Sequence, residues 1–143
     1  MRQRALALLA KREHSKTELQ RKLDARGYEA QAVRTVLDQL EAEQLQSDER
    51  FIEAFVHHRT DKGYGPCRIA QELRQRGISD NLLATYIDLN ELAWHERAAV
   101  VRQKRFGSEL PSDYRERARQ SRFLQYRGFT SEQIRHVMNP ACH

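Results

Sequence analysis

Residues 73–87 read LRQRGISDNLLATYI, and the reading of that stretch decides the fold. Leu73 precedes Gly77 by four positions, and Leu83, Tyr86 and Ile87 follow the glycine by six, nine and ten. The same frame recurs at 23–37, LDARGYEAQAVRTVL, and at 124–138, LQYRGFTSEQIRHVM. Each time a leucine (Leu23, Leu73, Leu124) leads to an Arg-Gly-hydrophobic stop: Arg26-Gly27-Tyr28, Arg76-Gly77-Ile78 and Arg127-Gly128-Phe129. Val33, Val36 and Leu37, then Ile134, Val137 and Met138, repeat the roles of Leu83, Tyr86 and Ile87. A glycine here predicts a helix end, because the residue past the last turn often takes a left-handed conformation that penalises a Cβ. The offsets after it are those of one helical face. The match is in hydrophobic character and placement rather than identity, at a period of about 50 residues, which marks a repeat architecture.

Working outward, every segment reads as helix. Arg2 to Arg12 places Ala5, Leu6 and Leu9 on one face. Ser15 with Glu18 is a capping box opening a helix that carries Leu19 and Leu23. A third helix is expected from about Ala30 to Ala42, with Val33, Val36, Leu37 and Leu40 inward. Ser47-Asp48 starts the second repeat, with Phe51, Phe55 and Val56 as the buried stripe and Ile52 beside it. Pro66, after the Asp61-Lys62-Gly63-Tyr64-Gly65 connector, fits a first helical position, where its missing N–H costs nothing. Ile69 and Leu73 repeat Leu19 and Leu23, and Ser79 or Asp80 caps the next helix. The third repeat is expected to open with a helix from about Asn90 to Phe106 that includes Leu92, Trp94, Ala98 and Val101. A break at Gly107 to Ser112 precedes a helix to Arg127 with Tyr114, Ala118, Phe123 and Leu124 inward. Thr130 with Gln133 is another capping box, and Asn139-Pro140 ends the pattern. No segment alternates with period two, so no strand is expected. The chain is therefore all-α: three tandem three-helix repeats, 1–46, 47–92 and 93–143, forming an elongated curved array.

A repeat of under 50 residues buries little apolar surface alone, so neighbours must complete its core. Of the 143 residues 31% are charged and 39% hydrophobic, the latter at helical spacing, too ordered a pattern for a disordered chain. The opening Met-Arg-Gln-Arg and the lack of a long apolar run predict neither a signal peptide nor a membrane span. Cys67 and Cys142 lie far apart, with no metal spacing and no disulfide framework, which points to a reduced, cytoplasmic setting. The net charge of +5 is unevenly spread: +2, −2 and +5 in the three repeats. Such an excess reads either as an electrostatic footprint for nucleic acid or an acidic partner, or as a solvated arginine-rich surface.

Catalytic chemistry is not visible. His14, His57, His58, His95, His136 and His143 form no HExxH pair and no Cys/His zinc spacing. His57 and His58 point to different helix faces and read as surface histidines. There is no GxxxxGK[ST] or GxGxxG loop, and Gly63-Tyr64-Gly65 reads as a flexible connector. Phe51, Phe55, Tyr86 and Phe123 have core spacing. Tyr64 sits between glycines, near Arg59 and Lys62, with no stripe to bury it; stacking and local packing are both open to it, as they are to Tyr126.

The stretch from Asp48 to Ile78, DERFIEAFVHHRTDKGYGPCRIAQELRQRGI, resembles the RecX family, bacterial regulators of the recombinase RecA. Phe51, Arg59, Lys62-Gly63, Gly65-Pro66, Arg68-Ile69, Glu72-Leu73 and Gly77-Ile78 carry the likeness. HSKTELQRKL, His14 to Leu23, and FGSELPSDYRERARQSRFLQYRGF, Phe106 to Phe129, extend it in order over nearly the whole chain. The short N-terminus departs from family members that carry residues before the first helix.

The resemblance implies a three-repeat protein that binds the RecA–single-stranded-DNA filament along its groove. It would inhibit ATPase, strand exchange and co-protease activity, with a role in the SOS response, DNA repair and recombination. No enzyme activity, cofactor or membrane is implied, and a monomer is expected. DNA, single-stranded or duplex, is the second partner to consider. The contact residues are expected among exposed basic side chains: Arg59, Lys62, Arg68, Arg74 and Arg76, with Tyr64, in the central repeat, and Lys104, Arg105, Arg115, Arg119 and Arg122 in the third. Arg115, Arg119 and Arg122 fall on one helical face. The bland alternative is a solvated stripe with acidic partners such as Glu116. A rival function is a helix-turn-helix DNA binder, although no second helix shows a row of Arg, Asn and Gln in all three repeats, and the central repeat is acidic. A scaffold for another protein is the third reading.

Overall fold

A computed structural model describes residues 1–140; the sequence-level readings of Cys142 and His143 fall outside them. Nine helices and no strand occur among the described residues: α1 (Arg2–Lys11), α2 (Lys16–Ala25), α3 (Ala30–Ala42), α4 (Asp48–Asp61), α5 (Pro66–Gln75), α6 (Asp80–Tyr86), α7 (Ala93–Phe106), α8 (Tyr114–Arg127) and α9 (Ser131–Met138). No helix among the described residues is long and apolar enough to cross a membrane.

The stops form as their chemistry demands. Gly27, Gly77 and Gly128 have φ of 88°, 84° and 102°. At Gly77 the Ile78 N–H donates to the Leu73 carbonyl at 3.1 Å and the Gly77 N–H to the Arg74 carbonyl at 3.0 Å. The equivalent pair links Phe129 to Leu124 and Gly128 to Gln125. Both are Schellman closures, in which the apolar residue after the glycine folds back on the leucine four before it, so one motif accounts for the spacing at the second and third stops; at the first, the Gly27 N–H donates to the Asp24 carbonyl at 3.0 Å. Both expected capping boxes form, at Ser15 with Glu18 and at Thr130 with Gln133. Ser79 caps α6, its hydroxyl accepting the Leu82 N–H at 3.3 Å.

The described chain forms two compact units, and the boundary runs through α4 and α5. Unit 1 is Met1–Val56 with Leu73–Tyr86. Its core joins Ala5, Leu19, Leu23, Val33, Leu37 and Leu40, with Met1, Leu6, Leu8, Leu9 and Val36 packed against them. Unit 2 is His57–Glu72 with the chain from Ile87 onward. Ile69, Ala70, Ile87, Trp94, Ala98, Leu124, Phe129, Ile134, Val137 and Met138 are its buried apolar residues. Leu23, Leu73 and Leu124 are all fully buried, as the shared register requires.

Several sequence-level expectations for apolar residues need correction. Ile52 is fully buried, whereas Phe55 and Val56 are only half-buried. The α7 helix begins at Ala93 rather than near Asn90, leaving Leu92 before it 76% exposed. Tyr114 is the first residue of α8, beyond the reach of the core, and is 84% exposed. On α4 the buried face is centred on Phe51 and Ile52, and at Tyr114 the inward face of α8 is carried past the point where another element covers it.

Within each unit a stop receives the start of another repeat's middle helix. In unit 1 the Ser15 hydroxyl, just before α2, donates to the Arg76 carbonyl. In unit 2 the Gly65 N–H, just before α5, donates to the Arg127 carbonyl at 2.7 Å, and the Cys67 N–H to the Gly128 carbonyl at 2.9 Å. A Cβ at Gly65 would lie 2.6 Å from the Gly128 carbonyl oxygen, so the two backbones approach this closely only without a side chain there.

Candidate functional site

The strongest concentration of positive charge lies in unit 2. One face of α7 presents Arg97, Val101, Lys104 and Arg105, at i, i+4, i+7 and i+8. The last turn of α8 supplies Phe123 and Arg127, and the end of α4 with its following turn supplies Thr60, Asp61, Lys62 and Gly63. Together they line an open cleft of about 520 Å³. Among the described residues, none of the five cations Lys62, Arg97, Lys104, Arg105 and Arg127 pairs with a carboxylate. Asp61, the one acid on the lining, lies 3.3 Å from the exposed imidazole of His57, one turn back on α4. The Thr60 hydroxyl is buried without a hydrogen-bond partner among the described residues.

The arginines are held by aromatic faces instead. The Arg105 guanidinium lies 5.6 Å from the Phe123 ring centroid, and Arg127 lies 5.1 Å from the same ring. Arg127 is also 5.0 Å from the Tyr64 ring and donates to the Lys62 carbonyl at 3.1 Å. Arg68 is 4.4 Å from Tyr64 and 5.2 Å from Tyr126. The order Arg105–Phe123–Arg127–Tyr64–Arg68–Tyr126 is thus an unbroken ladder of guanidinium and ring. Cation–π attraction fixes these arginines without neutralising them, so the cleft keeps a net positive field.

The sequence-level contact candidates divide accordingly. Lys62, Lys104 and Arg105 come together in the cleft, and Tyr64 and Arg68 stand in the ladder beside it. Arg59 is not an exposed cation as expected: it makes a bidentate pair with Glu72 at 3.0 and 2.7 Å and caps Tyr64 at 4.0 Å. Arg76 is likewise half-buried, 4.7 Å from the Phe55 ring and 3.6 Å from Glu18, in unit 1. Arg74, also in unit 1, is exposed and pairs with Asp80 at 2.6 Å. Arg115, Arg119 and Arg122 do share an exposed face of α8, but Arg119 is engaged by Glu116 at 3.0 and 2.8 Å. Hydrogen bonds from Arg119 and Gln120 hold the Glu116 carboxyl down at about 2, so this pair persists throughout the neutral range.

Arg97 and Arg127 were missed as site residues. Arg97 had a legible signal, its phase with Lys104 and Arg105. Arg127 did not, because its position in the stop explained it already. Phe123, expected inward, is half-buried and serves as the seat for two guanidiniums. Arg102, on the opposite phase of α7, is buried and ties down the turn after the helix through the Gly107 carbonyl at 2.8 Å and the Gln120 side chain at 3.1 Å. Among the described residues no group of three His, Cys, Asp or Glu side chains could hold a metal ion.

Comparison with known proteins covers almost the whole chain. Family models for the first, second and third three-helix domains of RecX match residues 2–40, 47–86 and 95–138. A protein named regulatory protein RecX from Halorhodospira halophila is 47% identical over 135 residues, 94% of this chain and 84% of that one. One of the same name from Pseudomonas fluorescens is 42% identical over 139 residues, 97% of this chain and 90% of that one. The crystal structure of RecX from Lactobacillus salivarius superposes with a TM-score of 0.81 at 19% identity, over 97% of this chain and 92% of that one, a likeness of fold.

Proposed function

The chain belongs to the RecX family, and from that premise we propose that it binds the filament RecA forms on single-stranded DNA and lowers its ATPase, strand-exchange and co-protease activities. It acts by binding, as a monomer in the cytoplasm, with no chemistry or cofactor of its own. Its building units are the three repeats 1–46, 47–92 and 93–143. The observation that carries this reading is the cleft of unit 2, where five cations stand without a carboxylate pair among the described residues. Such a surface suits a polyanionic partner, and its attraction should fade with added salt. Arg115 and Arg122, exposed on α8, extend the contact; Arg119 contributes less because Glu116 already neutralises it.

The test is inhibition of RecA's DNA-dependent ATPase by the unmutated protein and by two triple variants. Lys62→Glu with Lys104→Glu and Arg105→Glu reverses the cleft, and Arg115→Glu with Arg119→Glu and Arg122→Glu reverses the α8 face. The cleft variant should lose most inhibition and the α8 variant part of it. Unchanged inhibition by a folded cleft variant removes the cleft from the mechanism. No inhibition by the unmutated protein at concentrations that saturate RecA removes the function.

A further inference from the structure

Unit 1 carries a cleft of the opposite sign, about 570 Å³ in volume, where the end of α3 and the turn after it meet the start of α4 and Leu82 of α6. Glu41, Asp48, Glu49 and Glu53 line it with one guanidinium, that of Arg50, a formal −3 in a chain whose net charge is +5. Arg50 is already engaged, by Glu13 at 3.2 Å and the Gln44 carbonyl at 2.8 Å. Glu41 shares Lys16 with Asp38. Glu49 and Glu53 form no ion pair among the described residues. Gln46, 1% exposed, also lines the cleft. Its Nε2 donates to Asp48 Oδ1 at 2.9 Å and to the His14 carbonyl at 3.3 Å, while its Oε1 is buried and accepts nothing among the described residues. Turning the amide over would set Oε1 against two acceptors, so Oε1 is the arm left to the cleft. We propose that this cleft binds a linear polyamine, with neighbouring ammonium groups on Glu49 and Glu53 and a further one at Gln46 Oε1. The proposal stands on unit 1 and goes beyond the regulatory reading, which it does not need.

Three features favour that ligand. First, what the lining lacks is donors. Carboxylates and an amide oxygen only accept, and an ammonium carries three donors and no acceptor. A buried acceptor without a donor is costly, so Gln46 Oε1 is a second, uncharged reason for the same group. A bare metal ion fits less well, because among the described residues no three His, Cys, Asp or Glu side chains could hold one. Second, the charges are spaced. Glu49 and Glu53 stand at i, i+4 on α4, where side chains begin about 5–6 Å apart and like charges repel. Both fields reach one point: the Tyr86 phenol is held above its ordinary value by desolvation, then by the charges of Glu49 and Glu53 and a hydrogen bond to Glu49. A single ammonium answers one carboxylate, whereas ammoniums a few methylenes apart answer both with one molecule. Third, Leu82 gives those methylenes an apolar wall. The volume lies within the range of small-ligand sites.

The experiment titrates spermidine into the full chain at low salt by calorimetry, with a parallel titration followed through the amide signals of the ¹⁵N-labelled protein. One spermidine should bind per chain, although the protein is itself a net cation, and the Gln46 side-chain amide should shift. Glu49→Gln with Glu53→Gln should weaken binding about 5- to 30-fold. Glu91→Gln with Glu132→Gln makes the same charge change in unit 2 and should leave the affinity unaltered. All four carboxylates are exposed, so both variants should keep the fold, which thermal melts verify. Ethylammonium at equal ammonium concentration and magnesium at equal charge should displace spermidine poorly. Trilysine should also displace it poorly, since its ammoniums hang on separate side chains that must each be ordered. No binding by the unmutated protein overturns the proposal, as does a Gln46 amide that stays in place. Equal weakening by the two double variants marks a diffuse counterion effect and overturns it too. Equal displacement by ethylammonium or magnesium denies the need for a chain of charges, and stronger displacement by trilysine makes this a site for a basic peptide; either result overturns the proposal. RecA is absent from this assay, so failure here leaves ATPase inhibition standing, and failure of inhibition leaves this binding standing.

Discussion

Ser15 and Arg76 are joined across 61 positions by one hydrogen bond, from the serine hydroxyl to the arginine carbonyl at 2.8 Å. The same hydroxyl oxygen accepts the Glu18 N–H at 3.0 Å. One side chain thus caps α2 and ties it to the stop that follows α5, coupling a local signal to a long-range contact. In unit 2 the corresponding link runs from backbone to backbone, through Gly65 to Arg127 and Cys67 to Gly128, and the Arg127 side chain adds a bond to the Lys62 carbonyl. Repeats that cannot stand alone are stabilised by such neighbour contacts as well as by apolar burial.

Removing the Ser15 hydroxyl should therefore cost more than an ordinary cap. Loss of the cap alone is worth about 1 kcal/mol, and the Arg76 carbonyl loses a partner, for a further ~1 kcal/mol or more. Ser15→Ala should lower the urea midpoint by an amount equal to about 2 kcal/mol at unchanged slope. A loss no greater than that of an isolated cap would show that the link to Arg76 adds nothing.

Gly77 and Gly27 share a left-handed φ but not their surroundings. A Cβ at Gly77 would overlap the Thr17 side chain, whereas one at Gly27 would meet nothing within 4 Å. Gly27→Ala should cost about 1 kcal/mol for the backbone conformation alone. Gly77→Ala should cost measurably more, because α2 must also move. Equal losses in parallel urea titrations would contradict the docking of α2 against this stop.

Leu73 has no exposed surface and closes the Schellman turn at Gly77. Leu73→Ala should destabilise by roughly 2–5 kcal/mol, the range for a buried leucine that leaves a cavity. Thermal or urea unfolding checks this, and a loss below about 1 kcal/mol would contradict the shared repeat register.

His14 makes stability pH-dependent. It is buried; its Nδ1–H donates to the Arg12 carbonyl at 3.0 Å and its Nε2 accepts from Lys22 Nζ at 2.9 Å. That tautomer follows because a carbonyl only accepts and an ammonium only donates. Burial pushes the imidazole below its ordinary value of about 6.5, the carbonyl hydrogen bond opposes this, and the Arg12 and Lys22 charges reinforce it against Glu18. The unfolded chain therefore binds the proton more readily, so this contribution is intact above about pH 6.5 and is lost as pH falls toward the lowered folded value. The urea midpoint should drop between about pH 7.5 and about pH 5.5, and His14→Gln should show a smaller drop. An equal drop in both proteins would assign the effect elsewhere.

The amino-acid sequence alone determined the helices, their caps and stops, and the faces they bury. Ser15 with Glu18, Thr130 with Gln133, Pro66 and the three glycines act within a few residues, and their chemistry is written where it operates. The family was legible for the same reason: its motifs are these turns in order. Tertiary structure decided which faces find cover and which charges find partners. Tyr114 reads as core by phase and Leu92 as part of the first helix of its repeat, yet both stand exposed. Arg59 and Arg119 read as available cations, yet Glu72 and Glu116 claim them. The ladder from Arg105 to Tyr126 joins side chains from α5, α7, α8 and the turn before α5. Periodicity assigns a residue to a side of its own helix, but what stands opposite it depends on how separate helices pack, and that is set by the burial of the whole unit.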